Sequence, residues 1–146
     1  MVKLVINTKY GGFGLSYKAL KRYYELKYPE KKLYLYEANA TNTKLKKVHE
    51  DHADNIWCEI HDVDFGDSFD SEKVDQELYN NSYVTSNEIK RSDPFLVQTV
   101  EELGEEADGP FAELTVVTID SDKYRICEYD GAEWVETPES IEWETS

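Results

Sequence analysis

Three glycines within four positions constrain this chain more than any other feature. Gly11, Gly12 and Gly14 lie between an apolar run and a helical pattern that starts at Leu15. Clustered glycines cost conformational entropy unless the backbone needs a positive φ or a close approach to another group. Ser16 is a good N-cap residue for the helix that follows. The sequence therefore predicts a strand, a glycine turn and a helix start, in that order.

Such a corner is a generic site for a small anion. A helix N-terminus presents unpaired N–H groups and a partial positive charge. Basic side chains, and flat rings that can stack on a base, surround the glycines. The candidate ligand-binding residues are Lys9, Tyr10, Gly11, Gly12, Phe13, Gly14, Ser16, Tyr17, Lys18 and Arg22. In the alternative interpretation the glycines only let strand and helix pack tightly, because a short glycine motif is weak by itself.

The formal net charge of −15 is unevenly distributed along the chain. Residues 1–50 hold 11 Lys and Arg against 4 Asp and Glu, a net of +7, whereas residues 51–146 hold 5 against 27, a net of −22. The acidic part repels nucleic acid, so direct nucleic-acid binding is not expected. The glycine turn lies in the basic third, which is compatible with a pocket for a small anion.

Length and composition predict one domain over 1–137 followed by an acidic tail, 138–146. No apolar run approaches the ~20 residues of a membrane span, and we expect no signal peptide and no membrane partner. The two cysteines lie far apart in strand-like runs, which is typical of reduced thiols in a cytosol. The many aromatic residues are compatible with a homo-oligomer.

Periodicity predicts an α+β fold with a mostly antiparallel sheet, two main helices and a C-terminal three-strand meander. Strands are predicted at 3–7, 32–37, 55–61, 83–85, 113–119, 124–129 and 132–136, and helices at 16–28 and 94–103. Asp93 and Pro94 suit the start of the second helix and Gly104 its end. Asp130-Gly131 predicts a type I′ hairpin turn.

Secondary structure is less clearly indicated in two polar segments. We expect a loop or a short helical turn at 40–47. We expect an acidic loop over 62–76, with a short helix near 71–78 that Ser71 caps and a turn at 79–82.

The sequence contains no standard catalytic or metal motif, and its glycines do not fit G-x-G-x-x-G. The residues that could be drawn as a metal site are His49, Glu50, Asp51, His52, His61, Asp62 and Asp64. Their spacing is not that of a zinc site, and polar surface residues in a loop are the simpler interpretation. The acidic run after Asp62 fails as a calcium loop because its glycine comes early and its twelfth residue is Lys73. We predict no catalytic residue, no metal and no cofactor.

Three pieces of the chain have recognisable patterns. The first is I-N-x-x-Y-G-G-F-G-L-S from Ile6, the second is D-P-x-L-V-Q-x-V-E-E-L-G from Asp93, and the third spans 112–131. Together these pieces resemble a family of small acidic proteins encoded by tailed bacteriophages. The middle, 36–87, shows no resemblance. Family members often have Cys where Lys9 stands here, so a thiol is not essential at this position. The resemblance implies phage origin, and thus the host cytoplasm during infection, and no established activity.

Three hypotheses follow for function. The first is a small-molecule binding protein that sequesters a nucleotide-derived immune signal at the glycine turn, as counter-defence. The second is an acidic inhibitor that covers a basic surface of a host protein, even as a DNA mimic. The third is an enzyme that acts on a nucleotide or an ADP-ribose-like substrate in the same pocket, and it leaves open whether the protein is an enzyme.

Overall fold

The computed structural model describes residues 1–41, 43–53 and 57–138, and these residues form an α+β fold. Their helices are α1 (Tyr17–Lys27), α2 (Gln76–Ser82) and α3 (Pro94–Leu103). Their strands are β1 (Val2–Asn7), β2 (Tyr34–Ala38), β3 (Lys44–Lys47), β4 (Cys58–His61), β5 (Ser68–Asp70), β6 (Leu114–Ile119), β7 (Arg125–Tyr129) and β8 (Ala132–Glu136). Every described strand pair is antiparallel. The predicted fold class is confirmed.

The chain divides into two compact units, one made of Met1–Tyr23 with Ser86–Ser146 and the other of Tyr24–Thr85. The prediction of one domain over 1–137 stays a prediction. Most of the predicted tail, from 139 onward, lies outside the described residues. Within the described ranges, no helix combines the length and apolar character that a membrane crossing requires.

The core of the first unit forms around β1, which pairs with β6 from Val2↔Ile119 to Asn7↔Leu114. Leu4 and Val5 point to opposite faces of this pair, and both are 0% exposed. Burial on both faces explains why apolar residues follow one another without alternation in β1. Helix α3 packs against both strands through a buried apolar stripe that includes Leu96 and Val100.

Both long helices begin as their capping residues predict. The Ser16 hydroxyl accepts a hydrogen bond from Ala19 N–H at 3.1 Å. The Asp93 carboxylate accepts one from Phe95 N–H at 2.9 Å, and Gly104 ends α3 with a φ of 57°. These contacts satisfy N–H groups that have no partner inside the helix.

At the C-terminal end of the described chain, β7 and β8 form a hairpin, with φ values of 50° at Asp130 and 90° at Gly131. Positive φ at both positions is the type I′ geometry that the sequence predicts. The first strand of the predicted meander, β6, pairs with β1 rather than with β7. β1 offers β6 a six-residue partner with an apolar centre, which explains this preference.

The second unit contains an antiparallel sheet in the order β4-β2-β3-β5. β3 and β5 lie in segments for which we predicted a loop or a short helical turn and an acidic loop. Each strand has few apolar residues, so its sequence shows no clear strand periodicity. Leu45 is the buried residue of β3, at 1% exposure. The start predicted for β4, 55–56, lies outside the described residues.

Helix α2 corrects the prediction for 71–82. Asp75, not Ser71, is its N-cap, and the Asp75 carboxylate accepts hydrogen bonds from Glu77 and Leu78 N–H groups. The predicted turn at 79–82 is helical. The short strand predicted at 83–85 is reduced to an isolated bridge between His61 and Tyr83.

Candidate functional site

The glycine turn of the first unit packs against the hairpin turn between β7 and β8. Gly11 N–H donates a hydrogen bond to Asp130 O at 2.9 Å. A Cβ at Gly131 would lie 2.3 Å from the backbone nitrogen of Gly12, which is closer than atoms can approach. The close approach that the glycines predict is therefore present between these two turns.

A second segment, 109–111, closes the turn from another side. A Cβ at Gly11 would lie 2.8 Å from Phe111 O, and Gly11 has a φ of 127°. A Cβ at Gly109 would lie 2.8 Å from the carbonyl of Gly14, whose oxygen accepts a hydrogen bond from Gly109 N–H at 2.9 Å. Tight packing thus accounts for Gly11 among the clustered glycines, and for Gly109 and Gly131 on the segments that meet the turn.

Asn7, at the end of β1, holds these segments together and is 0% exposed. Its amide nitrogen donates to Lys9 O at 2.7 Å and to Gly131 O at 2.8 Å. Its amide oxygen accepts from Glu113 N–H at 2.9 Å. A buried polar side chain with these bonds fixes the relative positions of three chain segments.

A partly buried ion pair supports the same corner. The Glu133 carboxylate accepts a hydrogen bond from Asn7 N–H at 2.8 Å and binds both terminal nitrogens of Arg91, one of them at 2.8 Å. The Arg91 guanidinium lies 3.6 Å from the centre of the Phe13 ring. Sequence reasoning missed Asn7, Arg91 and Glu133, because their partners are far away along the chain.

Several groups expected to bind an anion have partners within the fold. Ser16 N–H donates to Ala107 O at 3.0 Å. The Lys18 ammonium lies 2.8 Å from a Glu106 oxygen, and the side chains of both residues are more than half exposed. Exposed ion pairs of this kind contribute little to stability, so a ligand could displace Glu106 at small cost.

The Arg22 guanidinium makes a two-point contact with the Glu102 carboxylate, at 2.8 and 3.2 Å. This contact, with a further hydrogen bond from Gln98, lowers the pKa of Glu102 to about 2. The Arg22 guanidinium is thus paired with a carboxylate of α3 in this structure.

Other predicted residues face open space or are only half-buried. Nothing lies within 4 Å of a Cβ built on Gly12 or Gly14. Tyr10 is 67% exposed, whereas Tyr17 is half-buried at the start of α1. Among the described residues none forms an ion pair with Lys9. The predicted set therefore divides into groups held by the fold and groups that a partner can reach.

Lys9 lines an open groove of about 640 Å³. The other residues along it are Gly104, Glu105, Asp108, Ala112, Glu113 and Leu114. Three carboxylates thus face one ammonium, so the local charge favours a cationic group over an anion. Asp108 also binds Leu114 N–H at 2.9 Å, which keeps part of this charge fixed in place.

Three exposed aromatic side chains lie on the segments that meet at the glycine turn. Tyr10, Phe111 and Tyr129 are 67%, 63% and 67% exposed. Their carrier segments touch through the backbone contacts of Gly11 with Asp130 and Phe111. We call these three side chains the aromatic corner. Exposed apolar side chains that lie together in a patch mark binding surfaces in many soluble proteins.

The histidines drawn as a metal site lie in different surroundings in the second unit. His49 and His52 are exposed, and His52 Nδ1 lies 3.0 Å from a Glu37 oxygen. His61 is 0% exposed and contacts several aromatic rings, including Tyr36. Within the described ranges, no three His, Cys, Asp or Glu side chains are grouped so that they could hold a metal ion.

His61 joins a buried polar chain that the sequence did not reveal. His61 Nδ1 lies 2.9 Å from the Ser82 hydroxyl, and Nε2 lies 3.0 Å from a Glu59 carboxylate oxygen. The Tyr79 hydroxyl donates to the same carboxylate. Hydroxyl, imidazole and carboxylate in a row resemble a nucleophilic triad, but Ser82 is only 2% exposed. Its role in this structure is to attach α2 to β4.

No protein-family model matches this chain, and neither a curated protein nor a solved structure matches it. The interpretation of function therefore depends on the surface chemistry of the described residues.

Proposed function

We propose that this protein binds another protein by covering a basic surface with the aromatic corner and the carboxylates beside it. The observation that carries the proposal is the exposure of Tyr10, Phe111 and Tyr129 on segments that the Asn7 network locks together. Rigid aromatic side chains lose little entropy on binding and are frequent at the centre of interfaces.

Charge selects the class of partner. The groove beside the corner carries Glu105, Asp108 and Glu113 against Lys9, and Asp130 lies in the hairpin turn. Lys and Arg side chains of a partner would find carboxylates to pair with and ring faces to stack on. A net charge of −15 would also speed the encounter with a basic surface.

The resemblance to phage proteins supports a partner from the bacterial host and action in the host cytoplasm. Occupying a basic surface of a host protein would inhibit what that surface normally does. Where the surface binds nucleic acid, the acidic side chains would act in place of phosphates, as a DNA mimic.

A second candidate function is sequestration of a nucleotide-derived immune signal at the glycine turn. The open faces of Gly12 and Gly14, the exposed ring of Tyr10 and the ammonium of Lys9 favour it. The internal hydrogen bonds of Gly11 and Ser16 N–H groups, and the acidic groove, favour the protein partner instead.

Native mass spectrometry of the protein purified from infected bacterial cells tests both candidates. We expect a co-purified host protein whose binding weakens with rising salt. The double variant Tyr10→Ser with Tyr129→Ser should lose that protein. The matched control is Leu78→Ser, which removes a 43% exposed apolar side chain from α2.

Three results would count against the proposed function. Equal retention by the corner variant and by the control would remove the aromatic corner from the interface. A small retained mass that Gly12→Asp abolishes would establish the nucleotide candidate instead. Consumption of a nucleotide over time would establish the enzymatic one.

A further inference from the structure

One edge of β6 has no strand beside it among the described residues. β6 pairs with β1 on one side, and the sheet that contains them has these two strands. An unpaired edge presents a row of N–H and C=O groups that can pair with another chain.

The register identifies which groups face outward. Val5 N–H donates to Arg91 O at 3.0 Å, so it points away from β6. Opposite residues of an antiparallel pair share this orientation, so the N–H and C=O of Val116 also point away from β1. The same alternation turns the backbone polar groups of Thr118 outward, opposite Lys3.

The sequence of β6 leaves this edge open beyond Leu114, whose outward N–H binds the Asp108 carboxylate at 2.9 Å. Its residues are Leu114, Thr115, Val116, Val117, Thr118 and Ile119, without lysine, proline or glycine. Natural proteins usually protect an edge strand with such residues or with a bulge. A strand of six residues, which is about 20 Å long, is long enough to pair with an extended peptide.

Carboxylates stand at both ends of the strand. Glu113 precedes β6, and Asp120 and Asp122 follow it. A second copy of this chain would bring the same acidic ends close to these, whereas a segment with basic ends would complement them. The charge thus separates the two candidate occupants.

We propose that the outer edge of β6 binds an extended segment of the partner as an added antiparallel strand, with Lys or Arg at both ends of that segment. This inference rests on the proposed function, since it names the part of the basic partner that is recognised. Main-chain hydrogen bonds to Val116 and Thr118 would supply affinity, and the flanking carboxylates would supply selectivity.

The test uses the full chain and a synthetic peptide with an alternating Val and Thr centre and two Lys at each end. Binding should slow hydrogen exchange at the amides of Val116 and Thr118 in NMR spectra. Thr118→Pro removes the outward N–H without breaking a bond to β1, and should weaken binding about tenfold or more. Thr118→Ala keeps the N–H and is the matched control, for which we expect less than about a twofold change.

A peptide with Glu in place of Lys should not bind, and neutralising Glu113 with Asp120 should weaken the Lys peptide. Equal binding by Thr118→Pro and Thr118→Ala would overturn the edge proposal. Sedimentation of the chain alone as a dimer, with both amides already protected, would assign the edge to a second copy.

The host partner distinguishes failure of this inference from failure of the proposed function. Loss of that partner in the aromatic-corner variant, with full retention in Thr118→Pro, would leave the function standing and remove the edge. Peptide binding at β6 without any co-purified host protein would support the edge alone.

Discussion

Substituting Gly131 by alanine tests the packing of the two turns directly. Gly131 has a φ of +90°, and an added Cβ would lie 2.3 Å from Gly12 N and 2.8 Å from the carbonyl carbon of Gly11. Both neighbours are backbone atoms, so no side chain can rotate to relieve the clash. The hairpin turn must move away from the glycine turn.

The cost can be estimated from the contacts that this movement breaks. Holding alanine in a left-handed conformation costs about 1–2 kcal/mol. The hydrogen bonds from Gly11 N–H to Asp130 O and from the Asn7 amide to Gly131 O contribute about 0.5–1.5 kcal/mol each. We expect Gly131→Ala to lower the free energy of unfolding by about 2–5 kcal/mol.

Urea unfolding followed by tryptophan fluorescence measures this loss, because Trp134 lies in β8 close to the substituted turn. The matched control is Gly14→Ala, where nothing lies within 4 Å of the new methyl group and φ is not positive. The control should change stability by no more than about 1 kcal/mol. Similar urea midpoints for Gly131→Ala and Gly14→Ala, with equal dependence of the unfolding free energy on urea concentration, would show that close packing of the two turns does not stabilise the fold.

Three further predictions concern single side chains. Asp93→Ala removes both the cap of α3 and the acceptor of the Tyr23 hydroxyl, so in urea unfolding it should cost about 1–3 kcal/mol, more than Tyr23→Phe. Arg22→Ala should raise the pKa of Glu102 from about 2 toward its ordinary value. Because the pKa of Glu102 is lowered in the folded state, its contribution to folding stability is fully present above the ordinary pKa of a glutamate and fades as pH falls toward about 2. A carboxyl NMR titration of both proteins would measure the two pKa values. Burial raises the pKa of Cys58 to about 11, so its alkylation at pH 8 should be much slower in the folded protein than in urea, as measured by mass spectrometry.

Strong periodicity made much of the first unit predictable. β1, β6 and α3 have apolar residues at strand or helix spacing, and Asp93 with Pro94 marks a helix start by local chemistry alone. β3 has a single well-buried apolar residue, Leu45, among lysines, so its pairing with β2 depends on neighbours that a local window does not contain.

The candidate site was predictable only where its chemistry is local. The glycines correctly predicted a close approach, but not that Gly131 and Phe111 would be the groups that approach. Lys18 and Arg22 looked available because their carboxylate partners, 88 and 80 positions later, lie on segments whose placement is tertiary.

The first unit is assembled from both ends of the chain, and this has a consequence for synthesis on the ribosome. Asn7 cannot complete its bonds until Gly131 emerges, 124 positions later. At about 5–20 residues per second, that is a delay of about 6–25 s. The unit Tyr24–Thr85 leaves the exit tunnel in the meantime and can fold first. The apolar segment around Leu4 therefore stays without its β6 partner until residues 114–119 have been synthesised.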